Sequence, residues 1–183
     1  RMQKFYRQRR ETPTRARVLP ADVARSVKSL MQPRWERMPR GPGSEILVIT
    51  RIDDVPPILA DETELRELLV NLICNALDAM PQGGTLTLSV YADRDAARFC
   101  VEDTGEGMTE DVQARCFDAF YSTKGAEGTG IGLTMVQSIC DRYGGRIELQ
   151  STPGKGTRVC AVFPIHRDAD PELPGLGADA ASA

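Results

Sequence analysis

Apolar positions along the chain repeat with two periods, and the periods sort it into helices and strands. Over 20–38, Val23, Val27, Leu30 and Met31 recur at helical spacing, and Pro20 suits a first turn. Over 61–80, Leu65, Leu68, Leu69, Leu72, Ile73, Ala76 and Leu77 form one continuous apolar stripe. Asp61 and Glu64 have the spacing of a capping box, and Gly83-Gly84 is the stop. A further helix is predicted over 133–143, ended by Gly144-Gly145. Strands are predicted at 45–52 (EILVITRI, followed by the breaker Pro56-Pro57), 85–92, 97–103, 146–151 and 157–164. The pairs 85–92 with 97–103 and 146–151 with 157–164 read as hairpins, the second turning on GKGT. Residues 104–132 are glycine-rich around a short helical stretch, the pattern of a mobile binding loop. PRGPGS (39–44) is a loop, and 167–183 lacks periodicity and is expected to be disordered.

Composition narrows this little. With 183 residues, 41% of them hydrophobic and 27% charged, the chain has room for one domain with its own core and needs no disulfide staples. No run of about 18 apolar residues is present. Cys74, Cys100, Cys116, Cys140 and Cys160 are scattered, without a CxxC pair and with His166 as the only histidine, which excludes a zinc site of familiar spacing. They read as small buried hydrophobes in a reducing compartment. Charge changes the picture more. Residues 1–40 hold 12 basic and 3 acidic side chains, whereas the remainder holds 11 and 23. The chain opens on Arg1 without a leader and is expected to be a piece of a longer protein.

Four segments carry candidate chemistry. On helix 61–80, Glu67, Asn71, Asn75 and Asp78 fall within about 80° of arc, away from the apolar stripe. A solvated face is the ordinary explanation, but two asparagines four apart are poor helix formers. Their amide oxygens suit a hydrated Mg²⁺ and its phosphates, because that ion wants oxygen ligands and keeps several waters. In VEDTGEGM (101–108), Asp103 ends a strand, where a buried carboxylate can accept from an exocyclic amine. Gly105 and Gly107 let backbone approach a flat ring; taken alone, the segment is equally a capped turn. GTGIGL (128–133) precedes a helix and presents N–H groups to an anion, although it is neither a P-loop nor a full dinucleotide fingerprint. In FDAFYSTK (117–124), Phe117 and Phe120 suit a hydrophobic flap, and Lys124 is placed to reach a terminal phosphate.

Jointly, in order and spacing, these segments resemble the ATP-binding catalytic domain of sensor histidine kinases, in the superfamily shared with DNA gyrase and MutL. NLICNALDAM is similar to that family's N box, DTGEGM to its first glycine box, FDAFYSTK to its F box and GTGIGL to its second glycine box. STPGKGTRVCAVFP (151–164) is similar to its closing element. The resemblance covers roughly 45–165. It implies a two-layer α/β (α+β) sandwich, the Bergerat fold, with a mixed sheet covered by helices on one face. It implies ATP and Mg²⁺ as ligands. Asn75 would hold Mg²⁺ and phosphate oxygens, with Asn71 supporting it. Asp103 would recognise the adenine amino group, and Gly105 and Gly107 would pass the base. Gly128, Thr129, Gly130, Gly132 and Leu133 would line the phosphates, Lys124 would approach the γ-phosphate, and Thr157 would reach the adenine side through water. Segment 108–127 would be the ATP lid.

Position 71 separates subclasses. The hydrolytic relatives carry a Glu four residues before the metal-binding Asn as general base for water, whereas Asn71 cannot act so. The resemblance therefore implies phosphoryl transfer to a protein histidine, with Glu67 polarising the incoming imidazole. Asp78 and Ala79 stand where many members have Lys or Tyr, so one phosphate contact is missing or supplied elsewhere. His166 lies past the last strand and reads as a surface residue. The acceptor is expected upstream, on a helical dimerisation domain whose end corresponds to residues 1–17. The catalytic domain is assigned to 18–166 and a tail to 167–183. The implied partners are that domain, within a homodimeric and cytoplasmic or membrane-anchored parent, and a response regulator. Nucleic acid is not among them, since the basic arm shows no binding module. Two rivals are a serine kinase acting on an anti-sigma antagonist, and a nucleotide-sensing scaffold without catalysis.

Overall fold

The computed structural model describes residues 15–37, 44–119, 121 and 132–167. In chain order the elements are β1 (Ala16–Val18), α1 (Pro20–Arg37), β2 (Ile46–Ile52), β3 (Ile58–Ala60), α2 (Glu62–Asp78), β4 (Gly84–Asp93), β5 (Ala96–Asp103), α3 (Glu110–Arg115), α4 (Gly132–Arg142), β6 (Arg146–Thr152) and β7 (Gly156–Pro164). A five-stranded sheet has the order β2-β4-β5-β7-β6. β2 and β4 are parallel and every other neighbour is antiparallel, so the sheet is mixed.

Alternation decides which face is covered. Leu86, Leu88 and Val90 of β4, Ala97, Phe99 and Val101 of β5, and Val159, Ala161 and Phe163 of β7 all point to one side. There they join Val23, Ala24 and Val27 of α1, the whole apolar stripe of α2, and Val136, Ile139 and Cys140 of α4 in a single core. Phe99 and Phe163 meet edge to face across β5 and β7, with centroids 5.8 Å apart. Each such buried Leu or Phe contributes about 1.5–3 kcal/mol. The other face carries only a small cluster of Cys100, Cys160 and Val162 with Tyr91 and Ala96. The predicted two-layer sandwich is therefore the observed one.

Several expectations are corrected. Two strands were missed: β1 pairs antiparallel with β3, Ala16 opposite Ala60 and Val18 opposite Ile58. Three-residue strands are too short to show alternation, and Pro56-Pro57 hides the second. Leu30, expected in the apolar stripe of α1, is exposed; Val27 and Met31 carry the packing instead. The capping box is half formed. The Asp61 side chain accepts from Thr63 N and Glu64 N, but the Glu64 carboxylate binds Arg142 and Tyr143, so it does not close the reciprocal bond. The cysteines are not all isolated thiols: Cys100 and Cys160 face each other in the β5–β7 register and are disulfide-bonded, although 60 residues apart in sequence. Cys140 is buried, which pushes its thiol up to about 12, and burial also raises Cys116.

Candidate functional site

The site is built where α2, the loop after β5, the β6–β7 hairpin and the start of α4 converge. β5 and β7 run side by side with Asp103 opposite Thr157, both buried on the core-facing side. Asp103 Oδ1 accepts from Gly105 N at 2.9 Å and from Thr157 N at 3.2 Å. Both hydrogen bonds to described residues fall on this oxygen, and Oδ2 accepts none among the described residues. Burial pushes the Asp103 carboxyl above its ordinary range, and the two backbone N–H groups act against that shift by stabilising the anion.

A polar chain supports this pair. Ser151 Oγ lies 2.8 Å from Thr157 Oγ1, donates to Gly156 O at 3.2 Å and accepts from Met108 N at 2.8 Å. Gln113 on α3 donates to Met108 O at 3.0 Å and Ser151 O at 3.2 Å, tying the loop to the hairpin. Sequence reasoning did not single out Ser151 or Gln113. The hairpin register carries the missing signal for Ser151, since a turn over Thr152–Gly156 places it opposite Thr157.

The protein's own backbone requires the glycines at 105 and 107. A Cβ on Gly105 would lie 2.2 Å from Ala79 O, and one on Gly107 would lie 2.0 Å from Thr152 O. The protein's own backbone occupies that space. Gly156 is the tightest: φ is +109° and a Cβ would lie 1.9 Å from Asp103 O. Gly156→Ala is therefore expected to destabilise the fold by at least about 2 kcal/mol, a fall in Tm of about 5 °C, measured by thermal melting.

The second half of the site is the α2–α4 contact. Asn71 Nδ2 donates to Glu67 O at 2.9 Å and to Met135 Sδ at 3.3 Å. The amide is thereby held against α4, with its nitrogen on Met135. Gly132, the first residue of α4, is so placed that a Cβ would lie 3.4 Å from Asn71 Oδ1 and 3.5–3.7 Å from the Asn75 amide atoms. The first residue of α4, at the end of the helix whose dipole favours an anion, thus lies beside two carboxamides. Hard oxygen donors beside an anion-favouring helix end fit a magnesium ion held mainly through phosphate; Asn75, supported by Asn71, would hold it. Glu67 is exposed one turn before Asn71. Leu133 follows Gly132 and packs partly against the core. Thr134 Oγ1 donates to Phe117 O at 3.2 Å, connecting α4 to the loop before it. Lys124, Gly128, Thr129, Gly130 and Phe120 lie outside the described residues. Asp103 and Thr157 are thus brought together, as are Asn71, Asn75 and Gly132.

The chain is thus a two-layer α/β domain, and known proteins share its sequence and fold. Residues 60–167 match the model of the histidine kinase-, DNA gyrase B- and HSP90-like ATPases. The chain belongs to that family. It is similar to sporulation kinase E of Bacillus subtilis, 37% identical over 120 residues covering 65% of this chain and 16% of that protein. Among solved structures it is similar to full-length ShkA in complex with AMPPNP (TM-score 0.70, 32% identity, 82% of this chain and 31% of that one). It shares its fold with the catalytic domain of the histidine kinase ThkA (TM-score 0.71, 23% identity, 82% of this chain and 95% of that one). The chain spans only 12–26% of the length of such curated relatives. No helix among the described residues is long and apolar enough to cross a membrane.

Proposed function

We propose that the chain is the ATP-binding catalytic domain of a two-component sensor histidine kinase. It binds Mg²⁺ and ATP and delivers the γ-phosphoryl group to a histidine on an upstream helical domain, from which the phosphate passes to an aspartate of a response regulator. The observation that carries this reading is the pairing of Asn71 and Asn75 with the α4 N-terminus, at one end of a site whose other end is the half-satisfied carboxylate of Asp103. Asp103 Oδ2 accepts from the adenine amino group, and Thr157 and Ser151 hold the polar side of the base. Gly132 lies at the phosphates; the resemblance assigns Gly128, Gly130 and Lys124 to the same groups, and Asn75 to the metal. Mg²⁺, held by Asn75 with Asn71 in support, would supply charge neutralisation to the phosphates. An imidazole nitrogen of the acceptor forms the new P–N bond as the bridging P–O bond breaks and ADP leaves with its electron pair. Glu67, exposed on the same face, orients that imidazole.

Transfer fits better than hydrolysis, because Asn71 is an amide whose nitrogen is bonded to Glu67 O and Met135 Sδ. It has no basic lone pair for water. Catalysis then rests on positioning and charge neutralisation. The test is incubation with γ-labelled ATP together with the helical segment upstream of residue 1. An acid-labile, base-stable label on that segment is expected. An acid-stable label would point to a serine kinase, and nucleotide binding without any label to a sensing scaffold.

A further inference from the structure

α4 lies antiparallel on α2, since its C-terminal end meets the start of α2 while its first residue meets Asn71 and Asn75. At the end remote from that contact, Glu64 bonds two side chains at the close of α4. Glu64, in the first turn of α2, accepts from the Tyr143 hydroxyl at 2.5 Å on one oxygen and pairs with the Arg142 guanidinium on the other. Arg15, next to β1, donates to Arg142 O at 2.7 Å and stacks over the Tyr143 ring, 5.5 Å from its centroid. β1 itself is paired with β3, which leads straight into Asp61, the cap of α2. The segment entering the domain therefore grips the α2 start and the α4 end at once.

We infer that Glu64, Arg142 and Tyr143 form a positioning hub that sets the α4 N-terminus against Asn71 and Asn75, and that Arg15 couples the hub to β1. The inference rests on the proposed nucleotide site. α4 is a rod of 11 residues, about 16 Å long, so a tilt of about 4° at the hub moves its phosphate-facing end by about 1 Å. A displacement of that size at a reacting or binding centre costs on the order of tenfold or more. None of the four residues touches the nucleotide site, so they act through α4. Whatever changes how Arg15 engages Arg142 and Tyr143 would then change nucleotide affinity without a contact to the nucleotide.

The test uses the full chain and measures the Kd of a fluorescent ATP analogue with Mg²⁺ at a temperature well below unfolding. Arg15→Ala, Tyr143→Phe and the double variant are compared with wild type, each with its melting curve. Each single variant is expected to weaken binding about fivefold, and the double variant by no more than about tenfold, because both act through one hub. Unchanged Kd in both single variants with a lowered Tm would reduce the hub to a structural clamp and overturn the inference. Full additivity in the double would overturn the coupling through Arg15. Arg15 is exposed, so its variant keeps the test open if Tyr143→Phe fails to fold. Absence of binding by the wild-type chain would overturn the proposed function itself, which separates the two failures.

Discussion

Asp103→Asn is expected to abolish useful ATP binding while leaving the unliganded fold as stable as wild type, or more so. The asparagine carbonyl oxygen can take over the bonds from Gly105 N and Thr157 N that Oδ1 now accepts. Its amide nitrogen would then stand where Oδ2 stands, and a donor would face the donor of the adenine amino group. The loss of a hydrogen bond to a charged group plus an unsatisfied donor costs about 3 kcal/mol, roughly 100-fold in Kd. Stability moves the other way. Burial raises the Asp103 carboxyl in the folded chain above its ordinary value of 3.8. A raised folded pKa adds stability that is fully present below the unfolded value and is lost as pH rises through the folded one. At neutral pH the wild-type chain therefore carries the desolvation cost of an ionised carboxylate, and the amide does not. Calorimetry reads the affinity. Melting between pH 4 and 8 should show the advantage of the variant growing with pH. An Asp103→Asn chain that binds ATP as wild type does would remove Asp103 from the base site.

Asn75→Ala is expected to abolish phosphoryl transfer through a different term. It deletes the carboxamide that faces the start of α4, and with it the oxygen assigned to the metal. Ala is the better helix former by about 0.5–0.7 kcal/mol, so the fold should tolerate the change. Wild-type affinity for ATP should rise with added Mg²⁺, and the variant should lose that dependence while retaining the base contacts at Asp103. Labelling of the acceptor segment should fall by at least about 100-fold. Persistence of the Mg²⁺ dependence in the variant would move the metal to other ligands.

The two variants separate the ends of one site, and the ends differ in how far they were legible along the chain. The helix stripe from Leu65 to Leu77, the Asn71/Asn75 spacing and the alternation of β4 and β5 are local patterns. Period and turn residues betray such patterns because they arise from backbone geometry. Asp103 could be picked out at the end of a strand, but its burial could not, since that depends on β7 lying beside β5 and delivering Thr157 N. The glycines of DTGEG were legible as necessary, but only packing shows that Gly105 and Gly107 yield space to the Ala79 and Thr152 carbonyls.

What the amino-acid order determined by itself was the set of longer helices and strands, most of their apolar faces and the polar residues assigned to a nucleotide. These follow from interactions within a few residues, where chain geometry leaves little choice. The tertiary structure alone decided the β1–β3 pairing, the bond between Cys100 and Cys160, the use of Glu64 by α4 rather than by its own cap, and the support of Thr157 by Ser151. Each joins groups brought together only after the sheet and helices have packed. Their loop-closure entropy is offset by the shared core and not by any local preference, so nothing in the neighbouring sequence has to announce them.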